Sequence, residues 1–273
     1  MLPPTDPRSP LVAALHAAFV DAPWALAAWL GGSDASGRTD AWSDVDLLLI
    51  VEDDAVERAF DVARGTLEAI APMVRSLRLP EPTWHGHAQM FFQLAGWAEW
   101  HMIDLVVQRR SGPAERFLEP ERHGTQVVLF DRAGLVRPQP MDRAAHAARV
   151  AARREQILAR FELLQHLVTK AILRGDVVEA ADRYMSFTLR PLVDLLRIQS
   201  CPDRFDFGMR YLDRDLPPAL RREIVSIALP GGLEELAAAH ERAKAMFQAA
   251  KVRGSERGPS ADHDGSREGV GGG

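Results

Sequence analysis

The sequence predicts an α+β protein with a sheet-containing first half and a helical second half. Short apolar runs of strand length recur through residues 1–138. Residues 141–174 contain no Gly or Pro and are rich in Ala, Arg, Leu and Glu, a composition typical of one long helix. The extended segment RPQP separates the two halves. We therefore predict a first domain over 1–138, a helical domain over 139–252 and a disordered tail over 253–273, which has almost no large apolar residue.

In the first half, apolar runs predict strands and helical spacing of apolar residues predicts helices. The helices are expected at 10–20 and 54–70, and the strands at 24–30, 45–51, 73–79, 87–94, 100–107 and 126–130. Turn-rich pieces such as LPEPTWHG separate several of these strands. Together they predict a mixed sheet flanked by helices.

In the second half, the long helix is expected to end at Gly175. Residues 176–199 predict a second helix that Pro191 should kink or restart, because proline has no backbone N–H to donate. Two more helices are expected at 217–228 and 233–251, separated by the helix-stopping PGG. These four segments predict a helical bundle.

Composition limits the class of protein and its partners. The chain has 273 residues, of which 47% are hydrophobic and 26% charged, as in ordinary globular proteins. Its N-terminus lacks a signal pattern, and its apolar runs are far shorter than the roughly 20 residues of a membrane span, so we expect a cytoplasmic protein without a membrane partner. The net charge of −5, without a long Lys/Arg run, disfavours a nucleic-acid partner.

Three aspartates interrupt strands that are otherwise apolar. Asp44 and Asp46 are two residues apart, so they share a face of the strand at 45–51. Asp104 is the lone charge in the run MIDLVV. Carboxylates on one face suit hard divalent cations, and three of them predict a site for two magnesium ions. Asp131 and Glu99 are the alternatives to Asp104 as the third ligand.

A Gly-Gly-Ser turn precedes the first two aspartates. Glycine lets the backbone approach a phosphate closely, and backbone N–H groups with a serine hydroxyl can bind phosphate oxygens. We therefore expect Gly31, Gly32 and Ser33 to contact a nucleotide triphosphate. Arg38, in the following turn, and Ser43, directly before the aspartates, are candidate contributors to the same site.

The segment GRTDAWSDVDL, with the preceding Gly-Ser turn, resembles the signature of the DNA polymerase β-like nucleotidyltransferases, and most closely their aminoglycoside and lincosamide branch. The motif match covers residues 29–107. The resemblance implies a helical C-terminal domain that shapes the acceptor site. It also implies magnesium-dependent transfer of NMP, with AMP from ATP expected, to a hydroxyl of a small acceptor with release of pyrophosphate. A homodimer is a candidate oligomeric state.

Glu99 and Lys170 are further candidates with ordinary alternatives. Glu99 could act as a general base on the acceptor hydroxyl, although a solvent-facing carboxylate at a strand end is slightly favoured. Lys170, among apolar neighbours on the long helix, could neutralise triphosphate charge or simply lie at the surface.

Aromatic and histidine residues are better explained as structural. His85 and His87 form a His-x-His without a third ligand at a recognisable spacing. Trp84, Trp97 and Trp100 could stack on a base or sugar, but a role in a core or at a domain interface is more common. The polar, aromatic-rich stretch 201–217, with Tyr184 and Arg190, could line an acceptor pocket or pack the helical domain, and we favour packing.

Two other functions compete with transfer to a small molecule. One is AMPylation of a protein, or a toxin–antitoxin role, for which Arg160 and His166 have the R-x5-H spacing of certain helical ribonucleases. Coincidence on one helix is the stronger explanation of that spacing. The other is a non-catalytic nucleotide sensor, against which the intact aspartates Asp44, Asp46 and Asp104 speak.

Overall fold

The computed structural model describes residues 2–3 and 5–256, which fall into two compact units, Met1–Met141 and Asp142–Gly273. None of the helices in the described residues is both long and apolar enough to cross a membrane. The last helix continues to Glu256, which is within the first four residues of the predicted tail. The rest of the predicted tail lies outside the described residues.

The first unit contains all six predicted strands. Its elements are α1 (Ser9–Val20), β1 (Ala25–Leu30), α2 (Gly32–Ala35), β2 (Val45–Val51), α3 (Val56–Glu68), β3 (Met73–Arg78), β4 (Ala88–Leu94), β5 (Ile103–Arg109), α4 (Pro120–His123) and β6 (Val127–Asp131). The prediction misses α2 and α4, since four residues are too few to show a helical period. The Gly-Gly-Ser stretch therefore opens a short helix and is not a simple turn.

The six strands form one mixed sheet in the order β3-β4-β5-β2-β1-β6. The central pair β2 and β5 is parallel, whereas every other neighbouring pair is antiparallel. A parallel pair needs a crossover, which here runs from the end of β2 through α3, β3 and β4. The α+β class predicted from the sequence is confirmed.

The two faces of the sheet differ in what covers them. On one face, alternate residues of β2 pack with α1 and α3 in the main core of this unit, namely Val45, Leu47, Leu49 and Val51. On the other face, Leu48 and Ile50 join a smaller cluster with Val106 and Leu118. Because side chains alternate along a strand, Asp46 lies on this second face, away from α1 and α3.

The second unit is a bundle of helices. Its elements are α5 (Arg143–Leu173), α6 (Val177–Tyr184), a π-helical turn (Met185–Leu189), α7 (Arg190–Ser200), a 3-10 turn (Pro202–Arg204), α8 (Leu212–Asp215), α9 (Pro218–Ala228) and α10 (Leu233–Glu256). The carboxylate of Asp142 accepts from the N–H of Ala145 and so caps α5, and Asp176 caps α6 in the same way. The predicted helices are thus present, with the second one interrupted.

Pro191 explains the interruption. It cannot donate to the carbonyl four residues earlier, which belongs to Phe187, and its ring would clash with that carbonyl in a regular helix. The chain widens into a π turn just before the proline. The released carbonyl of Phe187 accepts instead from Nε2 of Gln165, at 2.9 Å. The predicted interruption is therefore a local widening of the helix, after which α7 begins at Arg190.

Candidate active site

The structure brings the three predicted aspartates together on the sheet. Asp44 directly precedes β2, Asp46 lies in β2 and Asp104 lies in β5. Asp46 and Asp104 are register partners in the parallel pair, so their Cα atoms are about one strand spacing, or roughly 4.8 Å, apart and their side chains share a face. The motif residues, separated by almost sixty positions in the chain, thus form one cluster.

Burial disfavours the ionised form of these three carboxylates. Loss of hydration, together with the charges of Asp44 and Asp104, raises the pKa of Asp46 to about 7. Loss of hydration likewise raises the pKa of Asp104 to about 6 and raises the pKa of Asp44. Among the described residues, none of the three aspartates forms an ion pair with a Lys or Arg. Three half-buried carboxylates without a cation are suited to hold a divalent metal ion.

The guanidinium of Arg8 reaches this region, but it forms ion pairs with Asp6 and Asp34 and not with the three aspartates. The side chain is buried and bonds both carboxylate oxygens of Asp34, at 2.9 and 3.0 Å. It also bonds Asp6 at 2.7 Å and donates to the backbone oxygen of Asp44 at 2.6 Å. Arg8 therefore fixes the backbone of Asp44 while pairing with other carboxylates. No local pattern predicts this role, because its partners lie 26 and 36 residues away.

The Gly-Gly-Ser segment packs directly on the aspartates. The N–H of Gly31 donates to the backbone oxygen of Asp46 at 2.9 Å. Gly32 has a φ of +50°, and a Cβ there would lie 1.6 Å from Oδ2 of Asp46. The hydroxyl of Ser33 is buried and has no hydrogen-bond partner among the described residues. The missing side chain of Gly32 thus lets the Asp46 carboxylate lie against this segment, and Ser33 carries a hydroxyl available to a ligand.

Arg38 and Ser43 flank the same loop in different environments. Arg38 is exposed, and its backbone N–H donates to the backbone carbonyl oxygen of Ser33 at 2.9 Å. The hydroxyl of Ser43 is buried and donates to the carboxylate of Asp40 at 3.0 Å. Ser43 therefore holds the turn before Asp44. Contact of either residue with a nucleotide stays a prediction.

Gln89 is a site residue that the sequence analysis missed. Its Nε2 donates to both oxygens of Asp104, at 2.8 and 2.9 Å, which lowers the pKa of that carboxyl against the effect of burial. Its Oε1 lies 3.1 Å from Nε2 of His85, and Nδ1 of His85 accepts from the N–H of His87. In this arrangement Nδ1 of His85 accepts, and Nε2 is the nitrogen that donates to Gln89. The His-x-His pair therefore supports Asp104 through Gln89.

The alternatives to Asp104 lie in other settings. Glu99 is exposed in the turn before β5, and it is not among the charged groups that shift the pKa of the three aspartates. Asp131 ends β6, where its oxygens accept from the N–H groups of Leu135 and Val136. In the sheet, β6 is separated from β5 by β1 and β2. Asp104 is thus the carboxylate that shares a face with Asp46.

Several candidate residues of the second unit lie on α5 and α6. Lys170 is exposed on α5. Arg160 and His166 are six positions apart on this helix, which corresponds to about 240° around its axis, so they do not share a face. Tyr184 is buried and donates to the backbone oxygen of Ile227 at 2.8 Å, which gives it a packing role.

Two further features of the first unit bear on the predictions. Trp84 and Trp100 are exposed and Trp97 is half-buried, so the first two do not lie in a core, and their domain-interface role stays a prediction. Within the described residues, the group whose ligand atoms lie within 4.8 Å of one another is Glu115, Glu119 and His123, in and before α4. The three aspartates are not such a group, so their ligand atoms do not all lie within 4.8 Å of one another.

Comparison with known proteins gives structural likenesses only. No family model and no curated protein matches the chain. Among solved structures, an aminoglycoside 6-adenyltransferase from Bacillus subtilis has 15% identity and a TM-score of 0.38, covering 93% of this chain and 91% of its own. A spectinomycin adenyltransferase from Enterococcus faecialis, solved with ATP and spectinomycin, has 11% identity and a TM-score of 0.35, covering 90% of this chain and 98% of its own.

A cytoplasmic RNA terminal U-transferase is also similar, with 14% identity and a TM-score of 0.30, over 71% of this chain and 47% of its own. The three names describe enzymes that transfer nucleotides, which is the class that the sequence motif resembles. At such low identities and TM-scores, these likenesses carry no weight for substrate or mechanism. The function is therefore inferred from the site itself.

Proposed function

We propose that this protein is a magnesium-dependent nucleotidyltransferase that moves AMP from ATP to a hydroxyl of a small acceptor and releases pyrophosphate. The observation that carries the proposal is the set of three uncompensated carboxylates, Asp44, Asp46 and Asp104, next to the Gly-Gly-Ser segment. A metal site and a phosphate site side by side are the two parts that phosphoryl transfer requires.

The Gly-Gly-Ser segment would hold the triphosphate. The N–H groups of Gly32 and Ser33 begin a helix and so have no acceptor within it. Gly32 has no side chain, so the carboxylate of Asp46 lies against the backbone of this segment, and the phosphates would lie next to that carboxylate. The buried hydroxyl of Ser33 supplies a further donor. Arg38, in the exposed loop that follows, would reach the outer phosphates.

Asp44, Asp46 and Asp104 would hold the metal. Bound there, Mg²⁺ neutralises developing charge on the phosphates and favours loss of the proton from the acceptor hydroxyl. Arg8 keeps the backbone of Asp44 in place, and Gln89 orients both oxygens of Asp104. A preset orientation of the carboxylates reduces the reorganisation needed when charge moves.

The chemical step is an in-line displacement at the α-phosphorus. The acceptor oxygen forms a bond to that phosphorus, the bond from phosphorus to the bridging oxygen of the β-phosphate breaks, and pyrophosphate leaves with the electron pair. The acceptor proton passes to a carboxylate on the same face. Asp104 shares that face with Asp46 and is the candidate acceptor of the proton.

The test is a pyrophosphate-release assay with Mg²⁺, each NTP in turn, and a panel of aminoglycosides, lincosamides and candidate proteins as acceptors. Wild type is compared with Asp46→Asn and with Asp61→Asn, which changes an exposed aspartate on α3. We expect release with a small hydroxylated acceptor that is lost in Asp46→Asn and kept in Asp61→Asn. NTP binding without turnover on any acceptor would instead favour a nucleotide sensor, and turnover on proteins alone would favour an AMPylator.

A further inference from the structure

A cavity of about 510 Å³ lies within the helical unit. One wall is α5, the opposite wall is formed by the π turn and the start of α7, and residues of the segment 205–209 form a third side. This volume is in the range of pockets that bind small molecules. Every residue that lines the cavity belongs to the second unit, whereas the three aspartates belong to the first.

Helical periodicity directs charged side chains into this cavity. On α5, Arg153 and Arg160 are seven residues apart, a spacing of about two turns that keeps them on one face. On the opposite wall, Arg190 and Asp194 are four residues apart and also share a face. Three guanidinium groups therefore converge on the same space.

The positive charge in the cavity is not fully balanced. Nη2 of Arg153 lies 2.5 Å from Oδ2 of Asp194, so these two groups neutralise each other. Arg160 and Arg190, by contrast, have no hydrogen bond or ion pair within the part of the chain that the structure describes. Asp206, on the third side, is the remaining carboxylate in the lining. An arginine stays charged at every accessible pH, so two guanidinium groups remain available to an anion.

The π turn gives this wall a fixed shape and an apolar surface. Nε2 of Gln165 donates to the backbone oxygens of Phe161 and Phe187, at 2.8 and 2.9 Å. Oε1 of the same side chain accepts from the hydroxyl of Thr188 at 2.7 Å. The widened turn is thus tied to α5, and the Phe187 side chain lines the cavity beside Arg190. Wide turns of this kind often mark binding sites.

We propose that this cavity, named the arginine pocket for Arg153, Arg160 and Arg190, binds a small molecule with a phosphate or carboxylate group and an apolar ring. The guanidinium groups would bind the anionic group through paired N–H donors. Phe187 would contact the ring. The proposal does not depend on the nucleotidyltransferase proposal, because it concerns binding at a different set of residues.

The experiment uses the full chain and phenyl phosphate as the probe, with binding measured by calorimetry. Benzylamine and benzyl alcohol are probes of similar size with opposite or no charge. The variants are Arg160→Gln and Arg190→Gln, and the matched control is Arg154→Gln, on the same helix but outside the lining. Because both target side chains are exposed, the variants should keep the wild-type circular dichroism spectrum and Tm.

We expect saturable binding of phenyl phosphate, no binding of benzylamine, and a Kd raised about tenfold in Arg160→Gln and in Arg190→Gln but not in Arg154→Gln. Equal binding of benzylamine, absence of saturable binding, or unchanged Kd in both pocket variants would overturn the proposal.

A competition arm identifies the source of the anion. If ATP displaces phenyl phosphate, and both pocket variants weaken ATP binding, the phosphates of the nucleotide occupy the arginine pocket. If ATP and phenyl phosphate bind together, the pocket takes a separate anionic molecule. Either outcome supports an anion site. Pyrophosphate release is measured in parallel with Asp46→Asn, so failure of nucleotidyl transfer and failure of anion binding are seen independently.

Discussion

Asp46→Asn should stabilise the protein in the absence of metal, even though it removes the central ligand of the proposed site. Asp46 is half-buried beside two other carboxylates, and burial raises its pKa to about 7 from an ordinary value of 3.8. A carboxyl whose pKa is higher in the folded state favours folding when it is protonated. Its contribution is fully present below about pH 4 and is lost as pH rises through 7. Asparagine is neutral at every pH, so it does not bring the cost of a buried charge when the pH is above 7.

The size of the effect follows from the pKa shift. The pKa of Asp46 lies about three pH units above its ordinary value. At 1.36 kcal/mol per pH unit, the largest gain in the free energy of unfolding from removing this charge is about 4 kcal/mol at pH 8 and less than about 2 kcal/mol at pH 5. Water and salt screen part of this energy, and roughly 2–4 kcal/mol is the expected gain at pH 8. The gain should therefore grow with pH over this interval.

The assay is urea unfolding of wild type, Asp46→Asn and the control Asp61→Asn at pH 5 and pH 8, in EDTA and in excess Mg²⁺. In EDTA, Asp46→Asn should be the most stable of the three at pH 8. Mg²⁺ should stabilise wild type and the control by mass action, but not Asp46→Asn. Destabilisation by Asp46→Asn at pH 8 in EDTA, or a gain that is the same at both pH values, would refute this reasoning.

Three more predictions follow from the same contacts. Mg²⁺ should bind about tenfold more weakly at pH 6 than at pH 8, because Asp46 must lose its proton to bind metal, and calorimetry in buffers of different ionisation enthalpy should detect the released proton. Gly32→Ala should abolish pyrophosphate release, whereas Gly37→Ala should not. Both glycines have positive φ, but only at Gly32 would a Cβ collide with the carboxylate of Asp46. Arg8→Met should lower the free energy of unfolding by about 3–5 kcal/mol in urea, because it leaves Asp34 buried without its partner.

Local patterns were sufficient to predict most of the secondary structure. The strand at 45–51 was predicted with the boundaries that the structure has, because the ends of a nearly continuous apolar run mark the ends of the strand. Pro191 likewise marked the interruption of the second helix, since its effect acts within one turn. The carboxylate pair Asp44 and Asp46 could be assigned to one face from spacing alone.

Contacts between distant segments could not be predicted in this way. The pairing of Asp46 with Asp104 depends on the register of β2 and β5, which no local pattern specifies. Gln89 reaches Asp104 from β4, and Arg8 reaches Asp44 from the residue before α1. A buried glutamine or arginine looks like an ordinary surface residue in the sequence. Its importance becomes visible only when its partners are placed around it.

The distribution of charge around Arg8 bears on why the aspartates keep their raised pKa values. Arg8 could have neutralised Asp44 or Asp46, but its side chain pairs with Asp6 and Asp34 and gives the Asp44 residue only a bond to the backbone. The three aspartates therefore stay without a protein cation among the described residues, at a cost in stability. A chain that needed only to fold would be more stable with an uncharged residue at Asp46. Carboxylates placed in this way are suited to a divalent cation, as the proposed function requires.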